Sequence, residues 1–61
     1  MKIYKLEMIT NNPSADKYGY FETEKEADEV EEKYKKIVKE SPDYYGETYF
    51  EREEIELGLF D

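Results

Sequence analysis

The side chains in this sequence that could do chemistry are mostly carboxylates. The chain has 17 Asp and Glu against 9 Lys and Arg, contains no His and no Cys, and carries a formal net charge of -8. Without His or Cys it lacks the usual group that titrates near neutrality and the thiolate that serves as nucleophile or metal ligand. Two carboxylates can act as acid and base on a glycoside, but only in a shaped site. Because 61 residues leave little room for a deep cleft, we predict no enzyme, no metal site and no cofactor.

The excess acid is concentrated in the last third of the chain. Residues 41–61 contain seven acidic side chains and one base, Arg52. On an extended strand Glu51 and Glu53 would share a face about 6.6–6.8 Å apart, a spacing that could stand in for successive phosphates. Such a charge array repels nucleic acid and anionic membranes and favours a basic groove on another protein. The alternative is that the acids only keep the chain soluble.

Aromatic side chains accompany the acids. The chain has seven Tyr and three Phe, and Tyr is favoured at protein interfaces because it is large, stiff and amphipathic. A Tyr-rich sheet face could serve a homodimer or a partner, although ordinary cross-strand packing is the alternative. The residues predicted to bind a partner protein are Glu24, Asp28, Glu31, Glu32, Tyr45, Glu47, Tyr49, Glu51, Glu53, Glu54, Glu56, Leu59 and Phe60.

The end of the sequence offers a second way to bind. Residues 56–60, Glu-Leu-Gly-Leu-Phe, resemble the Gln-Leu-x-Leu-Phe peptide by which bacterial polymerases and repair proteins dock on the sliding clamp, with Glu56 in place of Gln. The resemblance implies that Leu59 and Phe60 are apolar anchors for a hydrophobic pocket. Alternatively, Ile55, Leu57 and Leu59 complete a strand of the core.

The chain as a whole resembles a class of proteins and no single family. Its size, acidity and lack of catalytic residue types are similar to those of the small inhibitors that bacteriophages make against host enzymes or defence nucleases, several of which are DNA mimics. The resemblance implies an inhibitor that occupies a basic, nucleic-acid-binding surface of a host or defence protein. The first ten residues include Lys2, Lys5 and Glu7 and form neither a signal-peptide core nor a membrane span, so we expect a cytoplasmic protein.

Two strands are predicted at the start of the chain. Tyr4, Leu6 and Met8 alternate with Ile3 and polar residues, which predicts a half-buried strand over Lys2–Ile9. Turn formers fill residues 10–16 and predict a loop. Residues 18–22 are short and aromatic, and predict a second strand antiparallel to the first.

A helix is the clearest element of the pattern. Thr23 and Glu26 form a capping box, and Pro42 favours an end near Glu40. Acid-first pairs at i,i+4 spacing add about 0.2–0.5 kcal/mol each; they are Glu29–Lys33, Glu31–Lys35 and Glu32–Lys36. The apolar stripe consists of Ala27, Val30, Tyr34, Ile37 and Val38.

The remaining residues, 44–60, predict one long third strand with a bulge near Arg52, because the apolar phase is uneven there. It would include Tyr44, Tyr45 and Tyr49. A right-handed crossover through the helix then gives strand order 2-1-3. We predict a single α+β domain over residues 1–61, with ββαβ topology and one amphipathic helix packed on a three-stranded antiparallel sheet. The other sheet face would be open.

Overall fold

The computed structural model describes residues 1–58 and confirms the α+β fold. Three strands form one sheet in the order β2-β1-β3, and one long helix packs on it. The predictions for Leu59 and Phe60 lie outside the described residues. The elements in chain order are β1 (Lys2–Ile9), a 3-10 turn (Pro13–Ala15), β2 (Lys17–Phe21), α1 (Glu24–Glu40), α2 (Pro42–Tyr45) and β3 (Tyr49–Glu56).

The first strand is the centre of the sheet. It pairs antiparallel with β2, where Leu6 lies opposite Gly19, and with β3, where Leu6 lies opposite Arg52. Beyond the strand ends, Met1 and Leu57 exchange both backbone hydrogen bonds, at 3.2 and 2.6 Å. Leu6 and Met8 are buried beneath α1, whereas the alternate residues of β1 face the other way. The predicted alternation is therefore confirmed.

Local sequence sets both ends of α1. The Thr23 hydroxyl accepts a hydrogen bond from the Glu26 N–H at 3.2 Å and donates one to the Glu26 carboxylate at 3.1 Å. At the other end the Ser41 N–H bonds to the carbonyls of Ile37 and Val38. The predicted stripe is confirmed: Ala27 is 0% exposed, and the other members, Val30, Tyr34, Ile37 and Val38, are half-buried.

The prediction for the third strand was wrong over residues 44–48 and at residues 57–58, because β3 ends at Glu56. Pro42 tolerates the first position of a helix, where its missing N–H is not needed, so Pro42–Tyr45 forms a short helical turn that Gly46 ends at a φ of +67°. The Asn12 amide donates to the Tyr44 carbonyl at 3.2 Å. The Asn11 N–H donates to the Tyr45 carbonyl at the same distance. These bonds hold the turn against the β1–β2 loop, and the strand starts only at Tyr49.

The predicted bulge near Arg52 was also wrong. The register with β1 is continuous from Ile9 opposite Tyr49 to Lys2 opposite Glu56. The uneven apolar phase arises because a charged side chain, Arg52, occupies a position on the helix side of the sheet. The Asp28 and Glu31 carboxylates of α1 balance the charge of Arg52 on this side. The strand therefore needs no bulge to direct the Arg52 side chain to the other face.

Gly46→Ala is expected to destabilise the fold by about 1 kcal/mol, because an L side chain is strained at this positive φ. The added Cβ would also approach the Asn11 Cβ to 3.0 Å. Gly58→Ala is the matched control, since a Cβ there meets nothing within 4 Å. Urea unfolding of both variants measures the difference. Equal stability of the two would show that the α2 turn contributes little to the fold.

Candidate protein-interaction surface

The sheet face opposite α1 is not covered by any element of residues 1–58. We call it the open face, and its side chains follow from the register and the strand alternation. Tyr18, Tyr20 and Tyr49 on this face are 71%, 54% and 55% exposed, so large aromatic surfaces are accessible there. The open face consists of Ile3, Lys5, Glu7 and Ile9 of β1, Tyr18 and Tyr20 of β2, and Tyr49, Glu51, Glu53 and Ile55 of β3.

The β2 side of the open face is aromatic. The rings of Tyr18 and Tyr20 meet edge to face with centroids 6.1 Å apart. The Lys5 ammonium lies 5.5 Å from the Tyr18 ring centroid, within the range of a cation–π contact. The same ammonium is 4.0 Å from the Glu7 carboxylate. Lys5 is thus shared between a ring and a carboxylate at the centre of the face.

The β3 side of the open face is acidic. Glu51 lies opposite Glu7, and Glu53 lies opposite Lys5. Both β3 carboxylates are on exposed residues, and neither forms an ion pair with any other described residue. Together with Lys5, Glu7 and Arg52 they line a shallow groove. The Arg52 guanidinium is paired with Asp28 and Glu31 of α1, so the charged groups left to the groove are three carboxylates and one ammonium, and the groove is negative.

The other predicted acids lie elsewhere. Glu54 and Glu56 point to the helix side of β3, opposite Tyr4 and Lys2 in the register. Glu54 pairs with the Lys2 ammonium at 3.1 Å, and this hydrogen bond raises the pKa of Lys2. The acids of β3 are therefore divided between two faces by the alternation of the strand.

The predicted acids of α1 are largely occupied within the chain. Asp28 and Glu31 each lie 3.0 Å from the Arg52 guanidinium. Glu31 also bonds to Lys35 at 3.0 Å, and Glu32 lies 3.7 Å from the same ammonium. Among the predicted acid-first pairs, only Glu31–Lys35 is within ion-pair distance in the described residues. Glu24 is an exposed residue at the start of α1.

The Arg52 cluster is a feature that the sequence pattern did not reveal. Arg52 and Glu31 have only 24% and 22% of their side chains exposed. Partial burial alone would raise the pKa of Glu31, but hydrogen bonds from Lys35 and Arg52 outweigh it and lower that pKa. Burial alone would lower the pKa of Arg52, but its hydrogen bonds to Asp28 and Glu31 outweigh this effect and raise that pKa. The sequence did contain one signal for this cluster. Arg52 is the single base of residues 41–61, and the strand alternation places it on the helix-facing side of β3.

Two predicted binding residues lie in the connection before β3. Tyr45 is half-buried in α2, where its ring meets that of Tyr44 edge to face at 4.9 Å. Glu47 is exposed between α2 and β3. Of the predicted residues within 1–58, the structure places Tyr49, Glu51 and Glu53 on the open face, together with Glu7, and it brings Asp28 and Glu31 together at Arg52.

Known proteins give no guide to this surface. No protein-family model, curated protein or solved structure matches the chain. Within residues 1–58, no three or more Asp and Glu side chains are grouped so that they could hold a metal ion. No helix in that range combines the length and the apolar composition needed to cross a membrane.

Proposed function

We propose that this protein is a small acidic binding module that docks the β3 side of its open face on a basic surface of another protein. The observation that supports this most directly is the pair Glu51 and Glu53. Both carboxylates are exposed, lie on one face and have no partner among the described cations. Asp28, Glu31, Glu32 and Glu54 of the predicted set are ion-paired within the chain, whereas these two share one face without a paired cation in residues 1–58 and retain their charge for a partner.

The exposed tyrosines support binding at the same face. Tyr49 lies on β3 beside Glu51, and an exposed Tyr can bury a large apolar area when a partner covers it. Ile9 lies opposite Tyr49, and Ile3 lies opposite Ile55, so each end of the groove has an apolar contact. An acidic centre with apolar ends is suited to a protein partner, because charges steer the encounter and apolar contacts retain it.

We further propose that the partner surface is one that normally binds nucleic acid, and that the module inhibits by occupying it. Alternate residues of β3 recur about every 6.6–6.8 Å, so Glu51 and Glu53 can meet a row of basic side chains that otherwise contacts phosphates. A bacterial host or defence protein acting in the cytoplasm is the partner class we propose. Catalysis is not part of the proposal.

Neutralising Glu51 and Glu53 is expected to weaken binding on the order of tenfold or more, because each carboxylate loses a charge contact. Immobilised wild-type chain and the Glu51→Gln/Glu53→Gln variant are exposed to a bacterial lysate at low salt and eluted with a salt gradient. Basic proteins identified by mass spectrometry should elute from the wild type as salt screens the contacts. They should elute earlier from the variant, or fail to bind.

The matched control is Glu54→Gln/Glu56→Gln. It removes the same two charges from the same strand, but from its other face. If the bound proteins elute from this control at the same salt concentration as from the wild type, binding depends on the open face and not on net charge. Equal loss in both variants, or no loss in either, would contradict the proposed site. Addition of a duplex DNA oligonucleotide tests the mimicry: DNA should displace the partner, and a partner that DNA does not displace would contradict it.

A further inference from the structure

Within residues 1–58 the sheet has two free edges, those of β2 and β3, and the hydrogen-bond pattern shows which backbone groups point outward from each. Met1 and Leu57 exchange both backbone bonds, so the odd-numbered residues of β1 bond to β3 and the even-numbered ones to β2. On β2 the bonded residues are therefore those opposite Tyr4, Leu6 and Met8. This leaves the N–H and C=O groups of Tyr18 and Tyr20 pointing away from the sheet.

The two edges differ in charge. The β2 strand, Lys17–Phe21, has one charged side chain, Lys17, in a chain of net charge -8. The β3 strand, Tyr49–Glu56, has four Glu and one Arg. A second copy that approached β3 with its own β3 would meet like charges, which oppose edge pairing. The β2 edge presents no such barrier.

We propose that two copies of this chain pair through antiparallel β2 strands to form a continuous six-stranded sheet. A two-fold axis beside Gly19 places Tyr18 of each copy opposite Tyr20 of the other. In that register the outward groups of both tyrosines form four interchain N–H···O bonds, and no residue outside β2 is needed. The tyrosines of both copies form one aromatic row on the open face, where cross-strand aromatic pairs add stability.

The helix-facing side of β2 also has a feature that favours pairing with a second copy of the chain. An apolar groove of about 370 Å³ runs between α1 and β2, with Leu6, Met8, Val30 and Tyr34 among its lining residues. The paired strands would place Phe21 of the second copy beside Lys17, at the margin of this groove. Gly19 would face its own counterpart at the axis, where the absence of side chains lets the two strands approach.

The dependence on salt concentration distinguishes this self-association from the proposed binding of a basic partner. Two copies that each carry a formal charge of -8 repel one another, and salt screens that repulsion. Self-association should therefore strengthen as salt is raised, whereas docking on a basic partner should weaken. The dimer does not depend on the proposed partner, and either can be wrong without the other.

The test is sedimentation equilibrium from about 10 µM to about 1 mM, concentrations where a small, weak interface is measurable. In 0.5 M salt the wild-type mass should rise from that of one chain toward twice that value. Tyr20→Pro removes an outward N–H and leaves the ladder to β1 intact, since Pro is tolerated on the solvent side of an edge strand. This variant should stay monomeric. Glu54→Pro, which removes an outward N–H from β3, should dimerise like the wild type.

A second pair of variants tests the same edge without proline, so that a misfolded proline variant does not decide the result. Tyr18→Glu adds a charge at the β2 edge and should abolish dimerisation, with circular dichroism unchanged. Tyr49→Glu adds the same charge to the open face on β3 and should leave the dimer intact. A wild-type chain that remains monomeric at 1 mM in 0.5 M salt would overturn the proposal. So would a mass that Tyr49→Glu lowers as much as Tyr18→Glu does.

Discussion

Leu6→Ala is expected to lower the free energy of unfolding by about 2–5 kcal/mol, the usual loss when a buried leucine is truncated. Leu6 is 4% exposed at the centre of the central strand, between Gly19 and Arg52 in the register. For a chain of 61 residues the total stability is about 3–9 kcal/mol at the usual amount per residue. The loss is therefore a large fraction of the total, and the urea midpoint of the variant, followed by circular dichroism, should fall far below that of the wild type.

The control for this prediction is the same substitution at an exposed leucine. Leu57 is 44% exposed, and its contact with Met1 uses backbone atoms that alanine retains. Leu57→Ala should change stability by less than about 0.5 kcal/mol, as surface substitutions usually do. A Leu6→Ala variant as stable as Leu57→Ala would show that the core lies elsewhere than between α1 and β1.

Arg52→Met is expected to cost about 1–2 kcal/mol, between the small value of exposed ion pairs and the larger one of buried pairs. The substitution keeps much of the side-chain volume but leaves Asp28 and Glu31 without the guanidinium that joins α1 to β3. Urea unfolding measures the loss. The matched control is Lys2→Met, which breaks the exposed pair with Glu54 and should cost less than about 0.5 kcal/mol.

Acid should affect the wild type and Arg52→Met differently. The pKa of Glu31 is lowered from 4.5 in the folded chain, so its pairing stabilises the fold above that value and is lost as the pH falls below it. The variant should lose less stability over the same interval, although Lys35 still lowers the pKa of Glu31. Parallel pH dependence of the two proteins would contradict a charge role for Arg52. Adding Asp28→Asn and Glu31→Gln to Arg52→Met should restore part of the stability.

The sequence carried enough information for the fold because its local signals agree with one another. Alternation in β1, the Thr23 cap and the apolar stripe of α1 each describe one element, and together they leave few topologies. Residues 44–48 were misassigned because Tyr44 and Tyr45 favour strands on average. The hydrogen bonds from Asn11 and Asn12 hold them in a helical turn, and such contacts between distant residues leave no local signal.

The binding surface was predicted less completely than the fold. Acid content could be read from the sequence, but which acids remain free depends on which cations lie near them in space. Glu31 and Asp28 are held by Arg52, more than 20 positions away in the chain. Placing Glu51 and Glu53 on one face required only the strand period, and that part of the expectation agrees with the register.

The pairing of Met1 with Leu57 has a mechanical consequence. These residues lie at the same end of the antiparallel β1–β3 ladder, so a force that separates them acts across the strands and loads one pair of hydrogen bonds at a time. Each bond contributes only about 0.5–1.5 kcal/mol net, so the ladder should unzip stepwise at low force. A force applied between Met1 and Leu57 would therefore detach the central strand from β3 early and expose the buried face of the sheet.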